Sequence, residues 1–166
     1  AASLAVDGVE YGRLVRLTAT GLVWYHPLNL INADYQRPAT WDELVALTAA
    51  MQQDRRQPWA LGLTSGDPGT DIIEALLLQR HGPALLEDLL TGDVAWTDAR
   101  VVDAWADFGT ILDASVIGDP PDAARAVFAT PPGAFFNAGP STALAWVLAV
   151  QPELDPGQQV AFFPLP

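Results

Sequence analysis

Residues 37–63 read RPATWDELVALTAAMQQDRRQPWALGL and run directly into residues 64–83, TSGDPGTDIIEALLLQRHGP. Pro38 discourages helix immediately before it. Thr40 is placed to accept from the amide three residues on, and Glu43 to reach back to the Thr40 amide, so a helix is predicted from Trp41. Trp41, Leu44, Val45, Leu47, Thr48 and Met51 recur at helical spacing, while Asp42, Glu43, Gln52, Gln53 and Asp54 take the other side: a surface helix packed on a core. Residues 58–63 form an apolar run too brief for a helix, closed by Thr64-Ser65-Gly66, and read as a strand buried on both faces. Helix, buried strand and helix in that order predict an α/β fold, a central sheet of short strands flanked by helices.

Working outward, the patterns predict a strand over Tyr11 to Leu17, an extended segment over Leu22 to Tyr25 and a short helix or turn from Pro27 to Ala33. Thr70 or Asp71 is expected to cap a helix through Arg80 that stops at Gly82-Pro83, and residues 84–90 make another short helix. Asp98 caps a long helix to about Leu112, whose apolar positions are read as Val101, Val102, Trp105, Phe108 and Leu112, with Asp103 and Asp107 facing away. Asp119-Pro120-Pro121 breaks the chain; a brief helix over 123–128, a strand over 133–136, a helix over 140–150 entered at Ser141 or Thr142, and a strand over 160–163 complete the series. Trp41, Trp59, Trp105 and Trp146 fall in apolar patterns and are read as core. Trp24 and Trp96 are left open.

Composition narrows the function. A chain of 166 residues with 50% hydrophobic content suits one domain with a sizeable core. A net charge of −12 opposes phosphate backbones and anionic membranes, which argues against nucleic acid as a partner. The absence of Cys excludes a disulfide framework and a thiolate metal site. No apolar run reaches the roughly 18 residues of a membrane span, and residues 1–13, AASLAVDGVEYGR, lack a basic region followed by an apolar stretch. An export signal is therefore expected to have been removed or to lie outside this sequence. His26 and His81 are far apart without HExxH-like spacing, and no GxSxG, P-loop or GxGxxG occurs. Asp67 and Asp71 are neighbouring carboxylates on either side of an expected helix start, which is not a catalytic dyad. No catalytic residue, metal or cofactor is expected, and the chain is read as non-enzymatic.

Residues 7–28 (DGVEYGRLVRLTATGLVWYHPL), TWDEL at 40–44, DPGTDIIEALL at 67–77, VAWTDARVVDAW at 94–105, VFATPPGAFFNAGPS at 127–141 and VAFFPLP at 160–166 follow in an order that resembles the extracellular solute-binding proteins, family 1, which deliver sugars to bacterial ABC importers. The flavour is closest to actinobacterial α-glucoside-binding proteins. The resemblance implies that residues 1–166 are one lobe, mostly the C-terminal one, of a periplasmic-binding-protein-like fold of type II, with hinge segments near 11–25 and 158–166. It implies a carbohydrate ligand held between two lobes, a missing N-terminal lobe, a membrane permease as partner, and an extracytoplasmic location with an anchor absent from this chain.

Matched residue by residue, the resemblance places the cleft at Asp67, Thr70 and Asp71 and at Asn137, Gly139 and Ser141. Carboxylates, amides and free helix-end amides provide the polar density that paired hydroxyls need. The family's stacking tryptophans are replaced by Gly69 or Ile72 and by Ser141, with Trp24, Phe135 and Phe136 as substitute platforms. The same residues also have local readings: Asp67 and Asn137 as turn formers, Asp71 and Ser141 as caps. A second reading, an interaction or structural domain that has lost sugar binding, stands beside the first. An apolar strip near Leu22 to Tyr25 and Phe135 to Phe136 is expected to be partly exposed and to favour a homodimer.

Overall fold

Thr40 adopts extended backbone and its hydroxyl accepts from the Glu43 amide at 3.3 Å, so helix α2 (Trp41–Gln53) starts where its cap requires. The Glu43 carboxylate reaches one residue further back than a capping box would, accepting from the Ala39 amide at 2.7 Å. These features belong to a computed structural model that describes residues 5–12, 17–65 and 67–166. The strand expected over 11–17 falls largely outside the described residues.

The other elements are β1 (Ala5–Val6), β2 (Val9–Glu10), β3 (Leu22–Tyr25), α1 (Pro27–Asn32), β4 (Trp59–Leu61), α3 (Asp67–His81), α4 (Pro83–Thr91), α5 (Ala99–Asp113), β5 (Ser115–Ile117), α6 (Pro120–Phe128), β6 (Phe136–Gly139), α7 (Ala143–Leu148) and β7 (Ala161–Pro164). β1 and β2 pair with each other, and the remaining strands form one sheet in the order β5-β4-β6-β3-β7. β4 runs parallel to β5 and β6, whereas β3 is antiparallel to β6 and β7.

The pleat sorts side chains onto two faces. Val23, Trp59, Leu61, Phe136, Ala138 and Phe163 join one apolar cluster with Leu44 and Met51 of α2, Ile72 and Leu76 of α3, Leu85 of α4 and Val101 and Phe108 of α5. Leu22 and Trp24 join a second cluster with Ala124, Val127 and Phe128 of α6 and Ala143 and Val147 of α7. Helices thus cover both faces of the sheet, in the α/β arrangement expected from residues 37–83. β4 is buried throughout, with the Trp59 indole N–H donating to the Thr48 hydroxyl at 3.0 Å.

Further expectations change. α3 begins at Asp67, so Thr70 and Asp71 lie inside its first turns and do not cap it. Pro120-Pro121 open α6, because proline fits the first turn, where an amide would be unpaired anyway. β6 begins three residues later than the aromatic run suggested: the Phe136 amide donates to the Pro58 carbonyl at 2.9 Å, and the Trp59–Phe136 pair sets the register. α7 is confined to Ala143–Leu148, with Thr142 at its cap making no side-chain bond.

Helix α5 is rotated from the expected face. It buries Val101, Ala104, Phe108 and Ile111, leaving Val102, Trp105 and Leu112 at 54%, 51% and 37% exposure. Trp105 is therefore not core. Asp107, expected to face away, lies against Arg80 and Trp41; burial raises its carboxyl above the usual range, and the Arg80 charge opposes the rise.

The strip from Leu22 to Trp24 with Phe135 and Phe136 is buried and offers no dimer face.

Candidate functional site

β4 and β6 are neighbouring parallel strands, but only Trp59 and Phe136 pair between them before they diverge. The chain leaving β4 enters α3, on one face of the sheet, and the chain leaving β6 enters α7, on the other. Adjacent parallel strands whose connections depart to opposite faces open a crevice at their carboxyl ends, the usual ligand position in open α/β sheets. Its lips are residues 62–65 and Pro140-Ser141-Thr142.

The crevice floor is set by Asn137. Its side chain is 3% exposed, and its amide donates to the Ala60 carbonyl at 2.8 Å, pairing a group that the short β4–β6 ladder leaves over. Gly139 is buried beside it, where an added Cβ would meet Asn137 Oδ1 at 3.0 Å. The Trp24 indole N–H donates to the Pro140 carbonyl at 3.1 Å and fixes the exit of β6. Ser141 ties in a third segment: its amide donates to the Ala19 carbonyl at 2.8 Å, and its hydroxyl accepts from the Ala19 amide at 3.2 Å. β3 is antiparallel to β6, so residues 17–21 arrive at the same edge.

Of the residues singled out by resemblance, Asp67, Thr70 and Asp71 fall on the first two turns of α3, and Gly139 and Ser141 on the β6 side of the same crevice. Thr70 is exposed and Asp71 half-buried. Asn137 points inward as floor. Phe136 is fully buried among Trp59 and Phe163, and Trp24 is 4% exposed, so neither presents a ring face to the crevice. Among the described residues of the lips, none is aromatic.

Two features were missed from sequence. Phe162 is 55% exposed, its ring centroid 5.3 Å from that of Trp24, and the two wall a pocket of about 260 Å³ with Leu144 and Val160. Phe162 stands opposite its register partner Trp24, whereas the neighbouring Phe163 turns to the other face and is buried. The second is the contact between the β4 exit and the start of α6: an added Cβ on Gly62 would lie 2.3 Å from Pro120 Cα, the Gly118 amide donates to the Leu61 carbonyl at 3.0 Å, and the Thr64 hydroxyl donates to the Asp119 carboxylate. The Gly in TSG-preceding LGL was the available signal, since only a residue without a Cβ permits that approach.

No protein-family profile matches the chain. It is 32% identical over 173 aligned positions, 96% of this chain and 38% of the relative, to the alpha-glucosides-binding periplasmic protein of Rhizobium meliloti. It is 35% identical over 111 residues, 64% of this chain and 26% of the relative, to the osmoprotective compounds-binding protein of Synechocystis sp.. An ABC transporter extracellular-binding protein of Pyrococcus horikoshii is 31% identical over 101 residues, 60% of this chain and 24% of the relative. Among solved structures, a chitin oligosaccharide binding protein superposes with a TM-score of 0.73 at 26% identity, covering 99% of this chain and 42% of that one. A bacterial solute receptor described as preferring β-D-galactopyranose gives 0.74 at 23% identity, covering 90% of this chain and 38% of that one. The chain thus spans between about a quarter and two fifths of the length of these proteins. Over that span, in sequence and in fold, it is a homologue of the extracellular sugar-binding proteins of ABC importers.

Proposed function

We propose that the protein carrying this chain binds a carbohydrate, with α-glucosides as the first class to test, at the β4–β6 crevice and presents it to the permease of an ABC importer outside the cytoplasm. On this reading the 166 residues are one lobe, the rest of the binding cleft comes from a partner lobe, and the protein is a carrier without catalysis. The reading is supported by the topology of the β4–β6 edge, where the connections to α3 and α7 leave to opposite faces, in a chain similar over 96% of its length to an alpha-glucosides-binding protein. Thr70 and Asp71 supply a hydroxyl and a carboxylate to sugar hydroxyls, and Asn137 and Ser141 hold the lips in place.

The test is calorimetric titration of the full-length protein with maltose, trehalose and sucrose. Saturable binding is expected, and the Thr70→Ala/Asp71→Asn pair should weaken it about tenfold or more, the scale of losing hydrogen bonds to charged and polar groups. No saturable heat with any of them would sink the α-glucoside assignment. The lack of an aromatic ring on the described lips favours a second reading, an interaction domain that has lost sugar binding. Failure to bind galactose, xylose and chitin oligosaccharides as well would select it.

A further inference from the structure

Helix α5 carries an apolar stripe that the rest of the chain leaves uncovered. Val102, Trp105, Gly109 and Leu112 follow one another at intervals of three, four and three residues, the spacing of a seam between two helices, and the three large side chains are exposed. The stripe lies on the flank of α5 opposite Asp107, whose carboxylate meets Arg80 of α3. α3 packs against β6 and α5 against β4 and β5, so the free flank of α5 overhangs the outer edge of β5. Ile117 of β5 is the register partner of Leu61, which places its half-exposed side chain on the same face of the sheet as α5. Stripe and edge strand form one apolar margin.

Three features point to what covers it. Gly109 sits in the interior of α5, where glycine is unfavourable relative to alanine, and among the described residues an added Cβ would meet nothing within 4 Å. No neighbour in the chain needs that gap, whereas a helix approaching from outside does. The stripe is also complementary to itself. In a second α5 laid antiparallel across a two-fold axis, Val102 of one copy faces Leu112 of the other and Trp105 faces Gly109, because both pairs are symmetric about position 107. The largest side chain of the stripe thus meets its one gap. Charge agrees: at −12 most of the surface repels a like copy, and these four positions hold no ionisable group.

We propose that the free flank of α5 is a homodimer interface, with the two α5 helices antiparallel about a two-fold axis and Trp105 of each copy seated over Gly109 of the other. This face is distinct from the buried strip of Leu22 to Trp24 with Phe135 and Phe136, and the inference does not depend on the carbohydrate reading. Exposed area sets its strength. Trp105 offers roughly 100 Å² and Val102, Leu112 and Ile117 roughly 30–60 Å² each, the apolar centre of a small interface rather than of an obligate one at about 800 Å² or more per partner. A dissociation constant of about 10–100 μM is expected.

The experiment is sedimentation equilibrium of the full-length protein and of its Trp105→Gln and Gly109→Gln variants, from about 1 to 500 μM to span that constant. Both positions are open to solvent in the single copy, and thermal melting at the lowest concentration checks that each variant is folded. Each variant is expected to raise the dissociation constant about tenfold or more, the scale of losing an interface anchor. Gly109→Gln is the sharper probe, because it favours the isolated helix and leaves or raises the melting temperature while it fills the seat of Trp105. A full-length protein that stays monomeric throughout overturns the proposal, whether the stripe is bare or covered by another part of the same protein. A dimer indifferent to both variants places the contact elsewhere and overturns it too. Weakening by Trp105→Gln but not by Gly109→Gln overturns the antiparallel two-fold packing.

Discussion

Gly62 and Asp98 show how single residues set this structure. Gly62 abuts Pro120 so closely that a methyl group would sit 2.3 Å from Pro120 Cα and 2.8 Å from its nitrogen, both backbone atoms that cannot rotate away. Gly62→Ala is expected to destabilise the protein by roughly 1–3 kcal/mol, the range of overpacking a filled site. Urea denaturation measures it, and a shift under roughly 0.5 kcal/mol, the size of an ordinary surface change, would show that the β4 exit and α6 are not in that contact. Asp98 caps α5, and the Arg100 guanidinium and amide hold its carboxyl at about 2, below the ordinary aspartate value of 3.8. A folded-state value below the unfolded one means that the contribution is fully present above pH 3.8 and is lost as pH falls toward 2. Asp98→Asn should therefore flatten the fall in stability across that window by removing the contribution above it, so that the variant is slightly less stable than the parent at neutral pH and converges with it near pH 2. Parallel acid limbs in both proteins would refute the assignment. The Asp98 cap was legible because a cap is satisfied two or three residues away. The Asn137 bond to Ala60 was not, because its acceptor lies 77 positions away.

Among elements, α2 and α5 make the contrast. In α2 the cap, the first-turn acids and one apolar stripe agree, so the buried set of Leu44, Thr48 and Met51 follows from periodicity. α5 carries two apolar stripes, Val101-Ala104-Phe108-Ile111 and Val102-Trp105-Leu112, and local spacing cannot rank them. The packing of α5 on α3 and the sheet selects the first, in which Ala104 is fully buried. Substitution reads out this choice directly. Phe108→Ala should cost about 3–5 kcal/mol as a core truncation, whereas Trp105→Gln should change stability by no more than about 0.5 kcal/mol as a surface replacement. Equal costs, or the reverse order in chemical denaturation, would place Trp105 inside after all. β6 teaches the same lesson from the sheet. Residues 133–139 contain two adjacent aromatics and no clear alternation, so the strand begins where Pro58 and Trp59 offer partners.

At the scale of the molecule, the binding edge arises from topology. The connections of β4 and β6 leave to opposite faces, which opens the crevice, and the antiparallel run of β3 returns residues 17–21 to that edge, where Ala19 meets Ser141. The titration with maltose, trehalose and sucrose belongs to this scale, since it asks whether one edge built from segments far apart in the chain acts as a single surface. The sequence by itself determined the order of helices and strands from residue 37 onward except for the edge strand β5, which no residue pattern had signalled, together with the α/β class and the likeness to sugar-binding proteins of ABC importers. Those follow from caps, prolines and apolar periods that act within a few residues of one another. The tertiary structure alone decided that Phe136, Trp24 and Asn137 turn inward, that Phe162 and Trp105 remain exposed, and that Thr64 and Asp119 meet. Burial and strand pairing are relations between distant residues, and no local pattern contains them.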